Sequence, residues 1–389
     1  MRAPSAVVIG AGVGGLAAAG ALHRQGWQVL VLERAAQLPG GGAGISLWPN
    51  GLRALNWIGV DWRELPGATL SGQSGVRRPD GRWIARTDVG AAIQTRFGLP
   101  LLLVQRAGLA AALASQLRDS AIRFGATATG IEPGDAKTSG QVRLAEESIA
   151  ADLVVAADGG RSMARTALFP AHPGLRYAGY TSWRLLVARG DLAVQPAETW
   201  GRHGQRFAVL PLGEDTLYCY ATATATARDA RGDDAPPGER AELMARFGAW
   251  HQPIPDILSR VAPGATIRTD IYEIAEPLPS MHSGRVAFVG DSAHAMTPDL
   301  GQGGCQALED AVVLAAIVND STSCEGLRQY TDARLSRTSA VVARSHRAGR
   351  LYQAPPWLAR NAARLMRLVP ATVLARGLDP VAAWRPPGA

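Results

Sequence analysis

The stretch AVVIGAGVGGLAAAGALHRQGWQVLVLER, residues Ala6 to Arg34, carries the pattern that decides the fold of this 389-residue chain. It opens with a short apolar run, which predicts a parallel strand buried on both faces. A glycine-rich turn follows, and the Ala- and Leu-rich segment after it predicts a helix to about Gln25. A second strand is predicted from Gln28 to Leu32, with Glu33 at its end. Strand, glycine turn, helix, strand and acidic residue in this order are typical of a dinucleotide-binding unit.

Each glycine of this turn is needed for a different physical reason. Gly10 permits the tight turn, Gly12 lets the backbone approach a pyrophosphate, and Gly15 lets the helix pack on the strand. The helix start, which includes Gly14, faces the phosphates with its partial positive charge. Glu33 can accept both hydroxyls of an adenosine ribose and would repel a 2′-phosphate. The turn therefore predicts the ADP half of FAD or NAD, and the alternative is a glycine-rich turn without a ligand.

A second motif follows another predicted strand, Leu153 to Ala156. Asp158 and Gly159 come directly after it, where an Asp-Gly pair suits the positioning of a pyrophosphate. The alternative is a plain strand-to-helix turn capped by an Asp or Ser side chain.

The third motif is GDSAHAMTPDLGQGGCQALEDA, residues Gly290 to Ala311. A strand is predicted just before it, and a helix from Cys305 to Val318. We expect Asp291 to accept a hydroxyl of a ribityl chain and Pro298 to pack beside a flat ring. Backbone N–H groups at the helix start would stabilise the negative charge of a reduced flavin, and they belong to the run that contains Gly301, Gly303 and Gly304. The motif therefore predicts the flavin end of an FAD site.

Composition excludes several classes of protein and of site. Hydrophobic residues make up 47% of the chain and charged residues 19%, as in a globular enzyme. The net charge of +7 comes from scattered arginines, so no nucleic-acid surface is indicated. Cys219, Cys305 and Cys324 lack metal-ligand or CxxC spacing, and no apolar run reaches membrane-spanning length, so we expect a cytoplasmic protein. We expect no metal site, because Asp291 and His294 lack further ligands, and we interpret His294 as structural.

Together these motifs resemble those of the class A FAD-dependent monooxygenases of the p-hydroxybenzoate hydroxylase fold. Two further stretches match that family, GGGAGISLWPNGLRAL (Gly40 to Leu55) and LLLVQRAGLAAAL (Leu101 to Leu113). A third, YAGYTSWRLLV (Tyr177 to Val187), is similar to the subgroup that includes urate, salicylate and 3-hydroxybenzoate hydroxylases and zeaxanthin-type epoxidases.

The resemblance implies an FAD that NADH or NADPH reduces without a second Rossmann domain. Reaction with O2 would form a C4a-hydroperoxyflavin, which hydroxylates or epoxidises a small aromatic or lipophilic substrate. The alternatives are an FAD oxidase or reductase on the same scaffold, or a non-catalytic flavoprotein. The resemblance also implies further cofactor contacts, namely Arg34 next to Glu33, Gly44 and Ile45 at the ring system, Arg106 near the pyrophosphate and the backbone of Ala128 at the adenine.

The middle of the chain alternates with a period of two. QRFAVLPL (Gln205 to Leu212), a Gly-Glu-Asp turn and TLYCYATATAT predict an antiparallel hairpin. We expect this hairpin to belong to a sheet that covers the flavin. The candidates to line its substrate side are Trp183, Arg184, Trp200, Arg206, Phe207, Tyr218 and Tyr220.

Two residues of this hairpin are candidates for catalysis. Relatives of the urate-hydroxylase type carry an Arg and a Tyr here, and Arg206 and Tyr218 match them. Arg206 would stabilise an anionic substrate and Tyr218 would orient it. The alternative is a surface arginine and a core aromatic residue, because a shift of one residue moves every side chain of a strand to its other face.

The expected fold class is α/β with an α+β insert. A doubly wound, Rossmann-like FAD-binding domain would comprise residues 1–70, 101–177 and 278–345. An inserted antiparallel β-sheet, which binds substrate, would comprise residues 71–100 and 178–277. Residues 346–389 would form a C-terminal helical region, whose basic amphipathic segment either docks over the fold or contacts a membrane surface peripherally. For the oligomeric state, a monomer and a homodimer are both compatible with the sequence.

Overall fold

Strands build two main sheets in this molecule. The computed structural model describes residues 2–38, 40, 44–227, 238–262, 264–320, 324–354 and 369–388. Within these ranges the strands in chain order are β1 (Ser5–Ile9), β2 (Gln28–Glu33), β3 (Gly44–Leu47), β4 (Gly67–Thr69), β5 (Ser74–Arg77), β6 (Trp83–Thr87), β7 (Leu102–Gln105), β8 (Ile122–Phe124), β9 (Gly130–Glu132), β10 (Gly140–Arg143), β11 (Ser148–Ala151), β12 (Leu153–Ala156), β13 (Leu175–Ala188), β14 (Ala197–Trp200), β15 (Arg206–Pro211), β16 (Thr216–Thr224), β17 (Ile267–Ile274), β18 (His282–Ser283) and β19 (Val286–Phe288).

Helices connect and cover these strands. In chain order they are α1 (Val13–Arg24), α2 (Pro49–Ile58), α3 (Val89–Phe97), α4 (Arg106–Ala114), α5 (Met163–Leu168), α6 (Glu239–Phe247), α7 (Ile254–Arg260), α8 (Asp291–His294), α9 (Gly303–Asp320) and α10 (Cys324–Tyr352), followed by short helices at Ala371–Arg376 and Asp379–Ala382. Short 3-10 turns lie at Trp62–Glu64, Asp119–Ala121 and Pro298–Leu300.

The first main sheet is parallel around β1. Its order is β18-β19-β12-β1-β2-β8, and only the β18–β19 pair is antiparallel. Val7 and Val8 are almost fully buried, as a strand covered on both faces requires. The alanines of α1 are buried too, because this helix packs against both the sheet and α9. The predicted strand–turn–helix–strand unit is confirmed.

The second main sheet has the order β17-β13-β16-β15-β14-β5-β6. The predicted hairpin forms its β15 and β16, which pair antiparallel. The sheet is not wholly antiparallel, because β14 and β5 pair in parallel. One face packs on α6 and α7 through an apolar core that includes Phe207 and Phe247. The other face carries Tyr218, which packs against Leu103 of β7. The second sheet therefore covers the part of the first domain that holds β3 and β7.

Helix α10 joins the end of the chain to the glycine motifs. Its buried residues, from Leu327 to Gly349, recur every three or four positions, so one face of the helix is buried. This face packs against α9 and the Pro298–Leu300 turn. Helix α10 continues past residue 345, where we expected a separate C-terminal region, and β13 crosses the expected boundary at 177.

The end of the chain is described only in part. The helix Ala371–Arg376 packs against α3. The predicted amphipathic segment with Trp357 and Leu365 lies outside the described residues. None of the helices in the described ranges has the length and apolar character needed to cross a membrane.

Candidate active site

The first glycine turn leaves open space in front of α1. Gly10 has a φ of 102°, and its N–H donates to the Leu32 carbonyl at 2.8 Å. A Cβ on Gly15 would lie 1.9 Å from the Gly10 carbonyl oxygen, so only glycine lets the helix begin this close to the turn. A Cβ on Gly12 would meet nothing within 4 Å. The start of α1 is therefore accessible to an anionic ligand, which the helix dipole favours.

Gly14 has a packing role instead. A Cβ on Gly14 would lie 3.2 Å from the Ala307 Cβ in α9 and 3.3 Å from a Val289 methyl carbon. The Cβ side of Gly14 therefore faces α9, and a contact of its backbone with the cofactor stays a prediction. Because Gly14 is small, α1 and α9 pack closely, and the first and third motifs at the starts of these helices come close together.

Glu33 lies beside the same turn, at the end of β2. Its Oε2 accepts the Ala11 N–H at 2.7 Å, and its Oε1 accepts the backbone N–H two residues later at 2.9 Å. Each oxygen keeps a lone pair for a ribose hydroxyl. The Ala126 N–H donates to the Glu33 carbonyl at 2.9 Å, so the loop with Ala128 lies next to Glu33. Arg34 is exposed.

Asp158 follows β12, the neighbour of β1 in the parallel sheet. Its Oδ2 accepts the Ala164 N–H at 3.1 Å, so the side chain caps the following helical turn. Its Oδ1 is buried and has no hydrogen-bond partner among the described residues. A buried carboxylate oxygen without a donor is costly, and a ligand hydroxyl at this position would satisfy it.

The third motif begins with Gly290 and Asp291. Gly290 adopts a φ of 68°, and Asp291 starts α8 with an exposed side chain. A Cβ on Gly303 would lie 4.0 Å from Asp291 Oδ1. The Asp291 carboxylate therefore lies close to the start of α9, where a ribityl hydroxyl was expected.

The glycines after Pro298 lie under β3. Gly301 has a φ of 60°, and a Cβ there would lie 3.2 Å from Trp48 Nε1. This indole nitrogen is buried and unpartnered within the described ranges. A Cβ on Gly304 would lie 2.6 Å from Ile45 Cδ1. The start of α9 and strand β3 thus approach each other as closely as glycine permits, and together they border the expected ring site.

Gly44 and Arg106 lie at one end of the β3–β7 pair. Gly44 is the register partner of Gln105, and Arg106 begins α4 with its side chain exposed. A Cβ on Gly44 would lie 2.7 Å from ring atoms of Tyr218. Glycine at this position therefore lets the sheet that carries Tyr218 close over β3.

Buried charges hold the third motif in place. Asp310 of α9 accepts the Gly290 N–H at 2.9 Å and contacts His294 Nε2 at 2.6 Å and Arg334 Nε at 2.7 Å. Burial raises the pKa of Asp310, but His294, Arg334 and the hydrogen bonds lower it to about 2. Arg334 also contacts Glu309 at 2.5 Å. His294 is buried and its Nδ1 has no partner among the described residues, so the interpretation of His294 as structural stays a prediction.

Alternation along the strands decides which side chains face the first domain. Arg184 pairs with Tyr220 across β13 and β16, and Arg206 pairs with Thr222 across β15 and β16. Tyr218 lies two residues from Tyr220, so its side chain points to the same face. That face includes Leu103 of the first domain. The structure therefore brings Arg184, Arg206, Tyr218 and Tyr220 together.

Trp183 points the other way. Its side chain is fully buried in the core between the sheet and α6 and α7, and its Nε1 donates to Glu239. Phe207 lies in the same core. The prediction that Trp183 and Phe207 line the substrate side is wrong, because adjacent side chains of a strand face opposite sides of the sheet, and each of the two follows or precedes an arginine that faces the other way.

Arg206 lies between two carboxylates. Its Nη2 donates to Asp299 Oδ1 at 2.7 Å, its Nη1 lies 3.4 Å from Glu198 Oε1, and the Tyr352 ring is 4.1 Å from its guanidinium carbon. Although burial lowers the pKa of Arg206, Glu198 and Asp299 raise it above its ordinary value. The cation is thus already neutralised, and the prediction that it meets an anionic substrate directly does not match these contacts.

The carboxylates around Arg206 were not identified as substrate-side residues from the sequence. Asp299 follows Pro298 in the third motif and also accepts the Tyr180 hydroxyl at 2.7 Å, so it ties that motif to the second sheet. Glu198 accepts the Tyr220 hydroxyl at 2.8 Å and Trp200 Nε1 at 2.6 Å. The signal in the sequence that could have found Glu198 is its spacing of two residues from Trp200, which places both side chains on the same face of a strand.

Tyr218 keeps its hydroxyl available. Burial raises the pKa of Tyr218, so the phenol stays protonated at neutral pH. Its hydroxyl makes no hydrogen bond to the part of the chain that the structure describes. Arg184 is a charged neighbour of this phenol. The face over Gly44 therefore offers a free hydroxyl beside apolar and aromatic side chains, which suits a flat molecule with one or two polar atoms.

These features fit an FAD molecule that extends from the first motif to the third. The open space at Gly12 suits a pyrophosphate, and the free Asp158 Oδ1 suits a ligand hydroxyl. The starts of α1 and α9 both direct backbone N–H groups toward the expected ligand. These features come from different parts of the chain, and all of them lie around strands β1, β12 and β3.

Comparison with known proteins agrees with this fit. Residues 4–345 match the family model described as FAD binding domain. The aurachin C monooxygenase/isomerase of Stigmatella aurantiaca is 37% identical over 89% of each chain. The 2-heptyl-3-hydroxy-4(1H)-quinolone synthase of Pseudomonas aeruginosa is 34% identical over 94% of each chain.

A solved structure shares the whole architecture. HpxO of Klebsiella pneumoniae, complexed with FAD and uric acid, matches with a TM-score of 0.87 and 30% identity, over 96% of this chain and 95% of that one. The chain therefore belongs to the FAD binding domain family, among the FAD-dependent monooxygenases of the p-hydroxybenzoate hydroxylase fold.

Proposed function

We propose that this protein uses FAD, O2 and NADH or NADPH to hydroxylate a flat aromatic heterocycle of the 4-quinolone kind. The observation that carries the proposal is the face formed by Tyr218, Tyr220 and Arg184 over Gly44. It combines aromatic and leucine side chains with a free phenolic hydroxyl. Bound FAD supplies the chemistry that passes two electrons from NAD(P)H to O2, so that one oxygen atom enters the substrate and the other leaves as water.

The charges near Arg206 support a neutral substrate in preference to an anionic one. Arg206 faces two carboxylates, Asp299 and Glu198, and an added anion would meet this excess of negative charge. Glu198 is 17% exposed, so its carboxylate can accept an N–H or O–H of a bound heterocycle. A relative of similar length is named a 4(1H)-quinolone synthase, which agrees with a neutral ring that carries an N–H.

Each polar residue has a distinct proposed role. Tyr218 orients the substrate through its hydroxyl, and Arg184 and Tyr220 border the same site. Arg206 is a positioning residue, because it holds Glu198 and Asp299 and stacks on Tyr352. The N–H groups at the start of α9 stabilise negative charge that develops on the reduced ring system.

Substrate-stimulated oxidation of NAD(P)H tests this function. Purified holoenzyme would be assayed with NADH and with NADPH, in the presence of 2-alkyl-4-quinolones, phenols or urate. We expect a 4-quinolone to accelerate NAD(P)H oxidation and to acquire one atom from isotopically labelled O2. Peroxide formed in proportion to substrate would indicate an oxidase, and turnover without O2 would indicate a reductase. A lack of stimulation by every compound would support a non-catalytic flavoprotein. Acceleration by urate alone would contradict the proposed substrate class.

Changing Tyr218 to Phe is expected to impair the reaction without affecting folding. The hydroxyl has no protein partner in the described residues, so its loss leaves no buried group unsatisfied. Loss of its hydrogen bond to substrate should lower kcat/KM roughly 10- to 100-fold. It should also raise the fraction of NAD(P)H electrons that end in peroxide.

A matched control is Tyr272→Phe. Tyr272 lies on β17 of the same sheet, away from Tyr218, and its ring centroid is 5.4 Å from that of Tyr177. We expect this variant to keep the wild-type kcat/KM. Equal kcat/KM values for Tyr218→Phe and the wild type would show that Tyr218 does not orient the substrate.

A further inference from the structure

A cavity lies on the face of the second main sheet opposite to the face that carries Tyr218. It has a volume of about 430 Å³ and is bordered by β5, β14 and the segment before α7. Thr199 and Val209 line it, and each is a strand neighbour of residues that face the substrate side. The cavity is therefore separated from the flavin site by the thickness of the sheet.

The charge in this cavity is entirely positive. Arg77 and Arg189 line it, and none of the described residues that line it is Asp or Glu. Neither arginine forms an ion pair within the described ranges. Burial and the nearby Arg86 lower the pKa of Arg77, as expected for a cation that lacks a counter-ion. Arg77 is held in place by the Trp83 ring, which lies 4.0 Å from its guanidinium carbon.

The neutral side chains of the cavity leave donors free. Gln195 Oε1 accepts Arg77 Nη2 at 3.1 Å, so the Gln195 amide N–H groups stay available. His251 Nδ1 donates to the Gln252 carbonyl oxygen at 2.6 Å, and His251 Nε2 lies 2.9 Å from the Thr199 hydroxyl. Both ring nitrogens of His251 thus already have partners within the protein. Arg77 Nε is buried and has no partner in the described chain.

The cavity also has an apolar part. Val194, Val209 and Pro253 line it together with two alanines. Two guanidinium groups and an amide next to apolar side chains are the chemistry that recognises an oxyanion with an apolar body. A carboxylate or phosphate here would replace the missing counter-ion of Arg77.

We propose that this cavity binds a small organic oxyanion, an aromatic carboxylate or a phosphate monoester, between Arg77 and Arg189. Strand β14 connects it to the substrate side. Ala197 and Thr199 face the cavity, whereas Glu198 and Trp200 face the substrate. Arg77 and Thr199 are register partners, so an anion held by Arg77 fixes β14 and, with it, the Glu198 carboxylate. The site is thus a ligand-binding site that influences substrate binding from across the sheet.

Calorimetric titration of the holoenzyme with benzoate, phenyl phosphate and inorganic phosphate tests the proposal, at constant ionic strength. We expect saturable binding of at least one of the organic anions, no binding of neutral benzamide, and no change in the flavin absorption spectrum. Competition by inorganic phosphate would assign the site to phosphate monoesters, and a lack of competition would assign it to carboxylates.

Variants locate the binding site. Arg77→Gln and Arg189→Gln should each weaken this binding roughly tenfold or more, because each removes a charged donor. The control is Arg78→Gln, whose exposed side chain pairs with Asp80 outside the cavity, and it should bind as the wild type does. The Arg189 side chain forms no hydrogen bond or ion pair within the described ranges, so Arg189→Gln should fold and tests the site even if Arg77→Gln does not. Wild-type affinity in both cavity variants, or the absence of saturable binding by every anion, would overturn the proposal.

Discussion

Changing Gly12 to Asp is expected to leave the protein folded and to remove its FAD. Gly12 is the N-cap of α1, with φ −71° and ψ 175°, and a Cβ there meets nothing within 4 Å. Asp is among the favoured N-cap residues, so α1 is not weakened. Its carboxylate would occupy the space expected for the pyrophosphate and repel it. We expect the affinity for FAD to fall about 1000-fold, equivalent to about 4 kcal/mol.

Two measurements separate folding from cofactor binding in this variant. Circular dichroism and thermal unfolding of the apoprotein report the fold, and a fluorescence titration with FAD reports the affinity. Gly12→Asn has nearly the same shape and is also a favoured cap, so the difference between the two variants isolates the charge. Ala111→Leu, on the exposed side of α4, should bind FAD normally. Wild-type affinity in Gly12→Asp would mean that the pyrophosphate binds elsewhere.

Changing Arg334 to Leu is expected to destabilise the folded protein strongly. Arg334 is 1% exposed and contacts Glu309 and Asp310, both of which are fully buried. Its removal takes the buried guanidinium away from both carboxylates, so that Glu309 keeps only Arg337 and Asp310 keeps only His294, which costs about 3–5 kcal/mol of the free energy of unfolding. Because Asp310 also accepts the Gly290 N–H, the flavin end of the site should loosen and bind FAD more weakly.

Urea unfolding of the holoenzyme measures this loss. Arg328→Leu is the matched control on the same helix, since Arg328 pairs with Glu325 at the surface and both side chains are more than 60% exposed. Such a pair contributes at most about 1 kcal/mol. If Arg334→Leu is no less stable than the control, the buried network does not support the third motif.

Much of the fold could be predicted from local patterns. The strand–turn–helix–strand unit at Ser5–Glu33, strand β12 and the β15–β16 hairpin all formed where the apolar periodicities placed them. These patterns are reliable because helix and strand periods repeat within a few residues, and glycines mark the turns directly. The long reach of α10 and the parallel pairing of β14 with β5 were not predicted, because neither has a local signature.

Part of the candidate site could likewise be predicted from the sequence, and part could not. The glycines at positions 10, 12 and 15 and the third motif could be recognised from sequence, since a cofactor that needs bare backbone requires glycine itself. Gly14 belonged to the same run, yet it serves the packing of α1 on α9. Sequence spacing does not distinguish a glycine that leaves room for a ligand from one that lets two helices pack closely.

The amino-acid sequence by itself thus determined the cofactor-binding unit and the class of the fold. Only the tertiary structure decided that Trp183 faces the helices while Arg184 faces the flavin side, because the pairing register of β13 sets the faces of all its side chains. It also decided that Arg206 lies between Glu198 and Asp299, the latter 93 residues away in the chain. Ion-pair partners and strand faces depend on which distant segments pack together, and no local pattern in the sequence records that choice.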